Sequence, residues 1–326
     1  MTDTTHRHTR RNVARAAAAV FVAVLAVVAG GSFYMLSYSL SADSHRATGE
    51  ESFSYFRKNY PALQPWADSL KRAAALRDTT IVMPGGERQH AIFVRSPRGG
   101  GRTALLVHGY GDSSYGMLHI AYIYNKVMGM NVLLPDLHAH GQSDGTDIQM
   151  GWKDRLDVLH WAGVAERMFR AAGRPSQMVV HGVSMGAATT MCVSGERTPA
   201  YMRCFVEDCG YTSVWDEFHH ELGKRFHLPD FPLMYTTSAL CRLRYGWSFG
   251  EASPLRQVAK CRKPMLFIHG TADDFVPTWM VRPLYAAKPQ PKALWLAPGS
   301  AHAVAYRDHP AEYTRRVVSF VGEYIR

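Results

Sequence analysis

The 326-residue chain is sparing with cysteine, and its five cysteines form no pattern. At positions 192, 204, 209, 241 and 261 they include no C-x-x-C pair, which excludes a thioredoxin-type centre and the usual zinc motifs. The odd number leaves at least one thiol outside any intramolecular disulfide. Cys204 and Cys209 bound one expected strand and lie too far apart to bridge. Cys204 and Cys261 both begin expected strands, so an oxidising compartment makes that pair a candidate. No Walker, dinucleotide-binding or EF-hand pattern is present, and no cofactor or metal is expected. No repeat of roughly 20–50 residues recurs, which excludes a solenoid. Acids are fewer than bases, 27 against 37. The excess is not gathered into a basic stretch interleaved with aromatics, so nucleic acid is not an expected partner.

The longest absence is of charge itself. A basic start carrying Arg7, Arg10, Arg11 and Arg15 gives way to Ala16–Leu40, which has no charged residue. As a helix these residues would span roughly 37 Å, enough for a hydrocarbon core of about 30 Å. A buried soluble helix is excluded because there is no polar face. Residues 1–15 are therefore expected as a basic tail and 16–40 as a transmembrane signal anchor. A cleaved signal peptide is the alternative, with Ala29-Gly30-Gly31 as a poor processing site. Arginines before the span and Asp43, Glu50 and Glu51 after it place the N-terminus in the cytoplasm and the rest outside.

Beyond the span come a connector, 41–77, and then a domain, 78–326, in which strands and helices alternate. "TTIVMP" and "HAIFVRS" suggest an opening hairpin. "TALLVHG", "NVLLPD", "QMVVHG", "CFVEDC", "PMLFIHG" and "KALWLAP" are apolar runs with no polar face, the pattern of strands buried on both sides of a mostly parallel sheet. Helical stretches at 114–127, 150–172, 185–195, 276–288 and 310–325 separate them, so the expected class is α/β with helices on both faces. About 211–260 is too long for an ordinary crossover and is expected to be a helical cap. Its acids and bases balance up to Gly250 and suggest no strongly charged substrate.

One serine stands between two glycines in "VVHGVSMGAAT". Ser184 follows an apolar strand and precedes a helix of small residues. A sharp strand-to-helix turn there holds a hydroxyl clear of the sheet, and the following helix points free N–H groups at developing negative charge. G-x-S-x-G alone is a weak signal; a serine N-cap between packing glycines gives the same letters. A reactive serine needs a base, and the base an orienting carboxylate. After such an elbow the chain order is serine, acid, histidine. "FIHGTADDFVP" places Asp273 and Asp274 just past a later strand, and "LAPGSAHAVAY" places His302 on a loop after the last one.

Together with "LLVHGYGDS", "PDLHAHGQSDG" and "EDCGYTS", these segments resemble the α/β-hydrolase superfamily in its serine-esterase and serine-aminopeptidase-like branch, from about residue 78 to 326. "DCGYTS" and "MGWKDRLDVLHW" are similar to a group of bacterial membrane-anchored hydrolases. The resemblance implies Ser184 as nucleophile, His302 as general base and then acid, and Asp273 rather than Asp274 as the orienting acid. It implies the backbone amides of Tyr110 and Met185 as the oxyanion hole. Asp208 occupies the other acid position used in the superfamily and is expected to be a satisfied polar residue near the pocket wall.

Other chemistry-bearing residues have plainer expectations. His108, His181 and His269 each precede a glycine at a strand end and are expected to satisfy loop backbone groups. His138 and His140 form an H-x-H whose structural role outweighs zinc binding. His219 and His220 are placed along a substrate route through the cap, and Asp154 and Asp157 in hydrogen bonds on a helix face. The expected activity is cleavage of a carboxylic ester, small or lipid-like, through an acyl-enzyme. A peptidase or amidase of the aminopeptidase type is the first alternative, and a non-catalytic binding protein on the same scaffold the second.

Overall fold

The computed structural model describes the backbone of residues 2–326 and the side chains of 11–43 and 45–326. Met1 and the side chains of Arg7 and Arg10, part of the expected basic tail, lie outside the described residues. Helix α1, Thr2–Leu40, is followed by α2 (Gly49–Asn59) and α3 (Gln64–Arg72). The strands are β1 (Leu76–Val82), β2 (Arg88–Val94), β3 (Arg102–Val107), β4 (Asn131–Pro135), β5 (Gln177–Val183), β6 (Met202–Asp208), β7 (Met265–Gly270) and β8 (Lys292–Ala297). Between and after them come α4 (Leu118–Tyr122), α5 (Asp154–Phe169), α6 (Met185–Ser194), α7 (Val214–Glu221), α8 (Leu233–Tyr245), α9 (Pro254–Val258), α10 (Val281–Ala287), α11 (Ala305–Asp308) and α12 (Pro310–Tyr324).

The strands form one eight-stranded sheet in the order β1-β2-β4-β3-β5-β6-β7-β8, in which β2 alone runs against its neighbours. The apolar runs alternate between two cores. Leu105 and Val107 of β3 and Val180 of β5 join one face; Ala104, Leu106 and Val179 join the other. Burial on both faces is the reason these strands show no polar alternation. The carboxyl ends of β3, β5, β6 and β7 share one rim, where ligands bind in open α/β sheets.

Two segments differ from expectation. The connector at 41–77 is folded into the domain: Phe53, Phe56, Tyr60, Leu63 and Trp66 of this region are buried in the second core. Strand β1 also starts earlier than "TTIVMP", at Leu76, because it pairs along the whole of β2. The candidate Cys204–Cys261 disulfide is not formed; all five cysteines are free and buried.

Helix α1 divides in two. Its stretch Arg11–Leu40 is long and apolar enough to cross a membrane, and large side chains from Val13 to Val27 are exposed. From Ser32 onward a stripe at helical spacing, Ser32, Leu36 and Leu40, is buried. This end packs on α8: Ser32 Oγ lies 2.6 Å from Thr236 Oγ1, and a Cβ on Gly31 would stand 3.0 Å from Leu233. The chain then ties into the domain through Ile148 N to Leu40 O at 2.8 Å and a bridge between Ser41 and Asp147.

Candidate active site

Ser184 sits at the join of β5 and α6 with φ 58° and ψ −121°. A non-glycine residue at positive φ is strained and is held there by its surroundings. Ser184 N donates to Asp208 O at 2.8 Å, which pins the turn to β6. The two glycines are required by close approach. A Cβ on Gly182 would come within 1.9 Å of Gly186 O, and one on Gly186 within 2.0 Å of Val107 O.

His302 reaches this serine from the loop between β8 and α11. Its Nε2 is 2.8 Å from Ser184 Oγ. Its Nδ1 is 2.8 Å from Asp273 Oδ2. The Asp273 side chain is fully buried, and its Oδ1 accepts from the amides of Phe275 and Val276 at 3.1 and 3.0 Å. Every oxygen of that carboxylate thus has a donor, and the imidazole is fixed with Nδ1 as donor and Nε2 free to take a proton. Phe275 packs against the ring, centroids 4.9 Å apart. Asp274 turns outward: it is exposed and pairs with Lys224 at 2.9 Å, which holds its carboxyl below the ordinary value.

Asp208 lies beside the site but does not bond His302. Its Oδ2 accepts from the Tyr313 hydroxyl at 2.9 Å, and burial pushes its pKa up to about 7. Tyr313 also meets His181 Nε2 at 3.0 Å, and Tyr124 meets His181 Nδ1 at 3.0 Å. His181 therefore binds two tyrosine hydroxyls, not loop backbone. Burial drives its pKa down to about 3. His108 and His269 do serve backbone: His108 bonds Gly109 O and Leu137 N, and His269 bonds Val276 O.

The amides of Tyr110 and Met185 have no hydrogen-bond partner among the described residues. Tyr110 follows β3 and Met185 opens α6, and the two segments meet where a Cβ on Gly109 would stand 3.4 Å from Ser184 Cβ. The Tyr110 hydroxyl donates to Ser39 O at 2.8 Å, and Ala47 N donates to Gly111 O at 2.9 Å. The end of α1 and the chain after it thus frame this loop.

Above Ser184 lies a cavity lined mainly by apolar side chains of α1, α7, α8 and their flanks, with Met35, Tyr38 and Ser39 contributed by α1. The sequence reading of α1 as a membrane span missed this wall. Its signal was a set of hydroxyls, Ser32, Tyr34, Ser37, Tyr38 and Ser39, in an otherwise aliphatic run. The 211–260 segment contributes α7, a π-turn at Leu222–Phe226, and α8. His219 and His220 do not line this cavity; His219 is exposed and bonds Asp230, and His220 is half-buried and bonds Asp274 O.

Asp154, Asp157 and His140 bond neighbouring groups of the fold away from Ser184. Asp154 accepts from Gly151 N at 2.8 Å and Asp157 from Gln89 at 2.6 Å. His140 donates to His138 O and accepts from Gly111 N. Cys209, Asp273 and His302 bring potential metal-ligand atoms within 4.8 Å of one another. Burial raises the Cys209 thiol well above its ordinary value, which disfavours the thiolate a metal takes.

Residues 147–326 match the prolyl oligopeptidase family. The chain is 29% identical over 219 residues to the protein YqkD of Bacillus subtilis, covering 67% of this chain and 70% of that one. Among solved structures it is similar to an esterase of Pyrococcus furiosus, with a TM-score of 0.61 and 22% identity over 76% of this chain and 90% of the other. It is similar too to a puromycin-hydrolyzing peptidase of Mycobacterium tuberculosis, with a TM-score of 0.59 and 18% identity over 77% of this chain and 39% of the other.

Proposed function

The chain belongs to the prolyl oligopeptidase family within the α/β-hydrolase superfamily and is a serine hydrolase; from that premise we propose that it cleaves carboxylic esters with apolar acyl groups, using Ser184, His302 and Asp273. The observation that carries this reading is the unbroken hydrogen-bond line from Ser184 Oγ through His302 to Asp273, 2.8 Å at each link.

In this mechanism His302 Nε2 takes the Ser184 proton as Oγ attacks the carbonyl carbon. Asp273 holds the ring and stabilises the imidazolium that forms. The carbonyl oxygen becomes an oxyanion and is received by the Tyr110 and Met185 amides, each such donor being worth about 3 kcal/mol to the transition state. When the tetrahedral intermediate collapses, His302 returns the proton to the leaving alkoxide. Water then enters, gives a proton to His302 and cleaves the acyl-enzyme, which restores Ser184. An amide would follow the same route, and the apolar lining of the cavity favours the ester with an apolar acyl chain.

We read the exposed part of α1 as a single-pass anchor with its N-terminus cytoplasmic. Arg11 to Gly31 as a helix spans roughly 31 Å, the thickness of a bilayer core. The cavity wall begins at Met35, so the acyl site stands at the membrane surface and takes substrate from lipid. The segment 211–260, with α7 and α8, acts as the cap over that site. Hydrolysis of p-nitrophenyl esters graded from acetate to laurate tests the reading: turnover rising with chain length supports it, and turnover of amino-acid anilides without ester cleavage refutes it.

A further inference from the structure

The loop that enters α8 leaves its large apolar side chains in the open. Phe231 is 74% exposed, Tyr235 57% and Leu228 40%. They are not scattered. The Phe231 and Tyr235 rings lie 6.0 Å apart, and Tyr235 meets Trp215 of α7 at 5.0 Å. Leu228, Phe231 and Tyr235 do not line the cavity above Ser184. Single exposed apolar residues are ordinary on a protein surface, but a contiguous apolar patch marks an interaction site. The acid of this loop, Asp230, bonds His219 at 2.6 Å and is drawn toward α7.

Helix α1 fixes where this patch stands. Leu233 lies against Gly31, where a Cβ would come within 3.0 Å of it, and Thr236 meets Ser32 at 2.6 Å. Gly31 is where the span that starts at Arg11 ends. The patch is therefore level with the point at which α1 enters the domain, and with Phe33 and Tyr34 of α1, which are exposed too. Aromatic side chains collect at this depth, the boundary between bilayer and water. The two helix contacts advance in the same sense, so α8 leads away from the span. Leu243, near its far end, stands roughly 15 Å along the axis from Leu233.

We infer that Leu228, Phe231 and Tyr235 form a second membrane contact, in which the entry of α8 dips into the headgroup region of the bilayer that α1 crosses. The inference rests on the reading of α1 as an anchor. One helix alone leaves a domain free to pivot; a second contact beside it fixes the tilt. Leu233 and Met234 follow Phe231 closely and line the cavity above Ser184, so the docked loop holds that wall against lipid.

The five native cysteines are buried, so a cysteine introduced at the surface is the one a maleimide takes. Full-length Leu228→Cys, Phe231→Cys, Val24→Cys and Leu243→Cys proteins are labelled with a nitrobenzoxadiazole maleimide and reconstituted in phosphatidylcholine vesicles. Phosphatidylcholine carrying a nitroxide near the headgroup or at mid-chain is the quencher. Val24 lies within the span, and Leu243 is 84% exposed. The probes at positions 228 and 231 are expected to be quenched by the headgroup-side nitroxide about twofold or more beyond the probe at 243, since an interfacial group sits about 5–10 Å into the headgroup and acyl boundary. The probe at 24 is expected to be quenched by the mid-chain nitroxide. If 24 is quenched but 228 and 231 are quenched no more than 243, the second contact is refuted while the anchor stands. A blue-shifted but unquenched probe at 231 means that a second copy covers the patch, which refutes the contact as well. If 24 is not quenched, the anchor reading fails and takes the contact with it.

Discussion

The Tyr110 hydroxyl donates to the Ser39 carbonyl across 2.8 Å, joining the loop beside Ser184 to the end of the long apolar helix. The end of the apolar helix and the candidate active site are thus one structure. Tyr110→Phe removes one partly buried hydrogen bond and is expected to cost about 1 kcal/mol of stability. A lower melting temperature with a several-fold fall in kcat/KM would confirm the coupling. No change in either would show that the contact is idle.

Removal of residues 2–40 is expected to be far worse than the point change. It deletes Leu36 and Leu40, both nearly or fully buried, and opens the cavity wall at Met35 and Tyr38. Each lost leucine is worth about 2–3 kcal/mol by burial alone. The truncated protein should be insoluble or inactive; a soluble truncation with full esterase activity would contradict the fold described.

Asp273 and Asp274 are adjacent in sequence and opposite in role. Asp273→Asn breaks the tautomer control of His302 and is expected to lower kcat about a thousand- to ten-thousandfold. Asp274→Asn touches only an exposed pair with Lys224 and should stay within about twofold, since such pairs contribute little. Asp208→Asn keeps an acceptor for Tyr313 and should retain activity. Steady-state kinetics on one ester ranks all three, and a large loss at Asp208 would reassign the acid.

His138 makes stability depend on pH. Burial lowers its pKa, but the Asp147 carboxylate 3.8 Å away and the charges of Asp154 and Glu87 outweigh that and lift it to about 9 from 6.5. A raised pKa contributes stability that is complete below about 6.5 and disappears as pH rises through about 9. Linkage gives a contribution on the order of 3 kcal/mol. The melting temperature should fall between pH 7 and pH 10, and His138→Gln should flatten that fall. An unchanged slope in the variant would remove His138 as the cause.

The strands were legible because burial on both faces leaves continuous apolar runs, as in "TALLVHG" and "QMVVHG". That Ser184, Asp273 and His302 meet in one hydrogen-bonded line was legible because chain order at strand ends restricts where partners stand. The wall formed by Met35, Tyr38 and Ser39 was not, since a run apolar enough for lipid is equally suited to packing on α8. His181 was misread because the tyrosines that bond it lie far away in the chain, at 124 and 313.

Central to the account is a nucleophilic Ser184 activated through His302. The most direct measurement treats full-length protein with a fluorophosphonate and maps the adduct by peptide mass spectrometry. The account predicts one modified residue, Ser184, with labelling abolished in His302→Ala while its melting temperature holds. An unlabelled wild type, or an adduct on another serine, would contradict it.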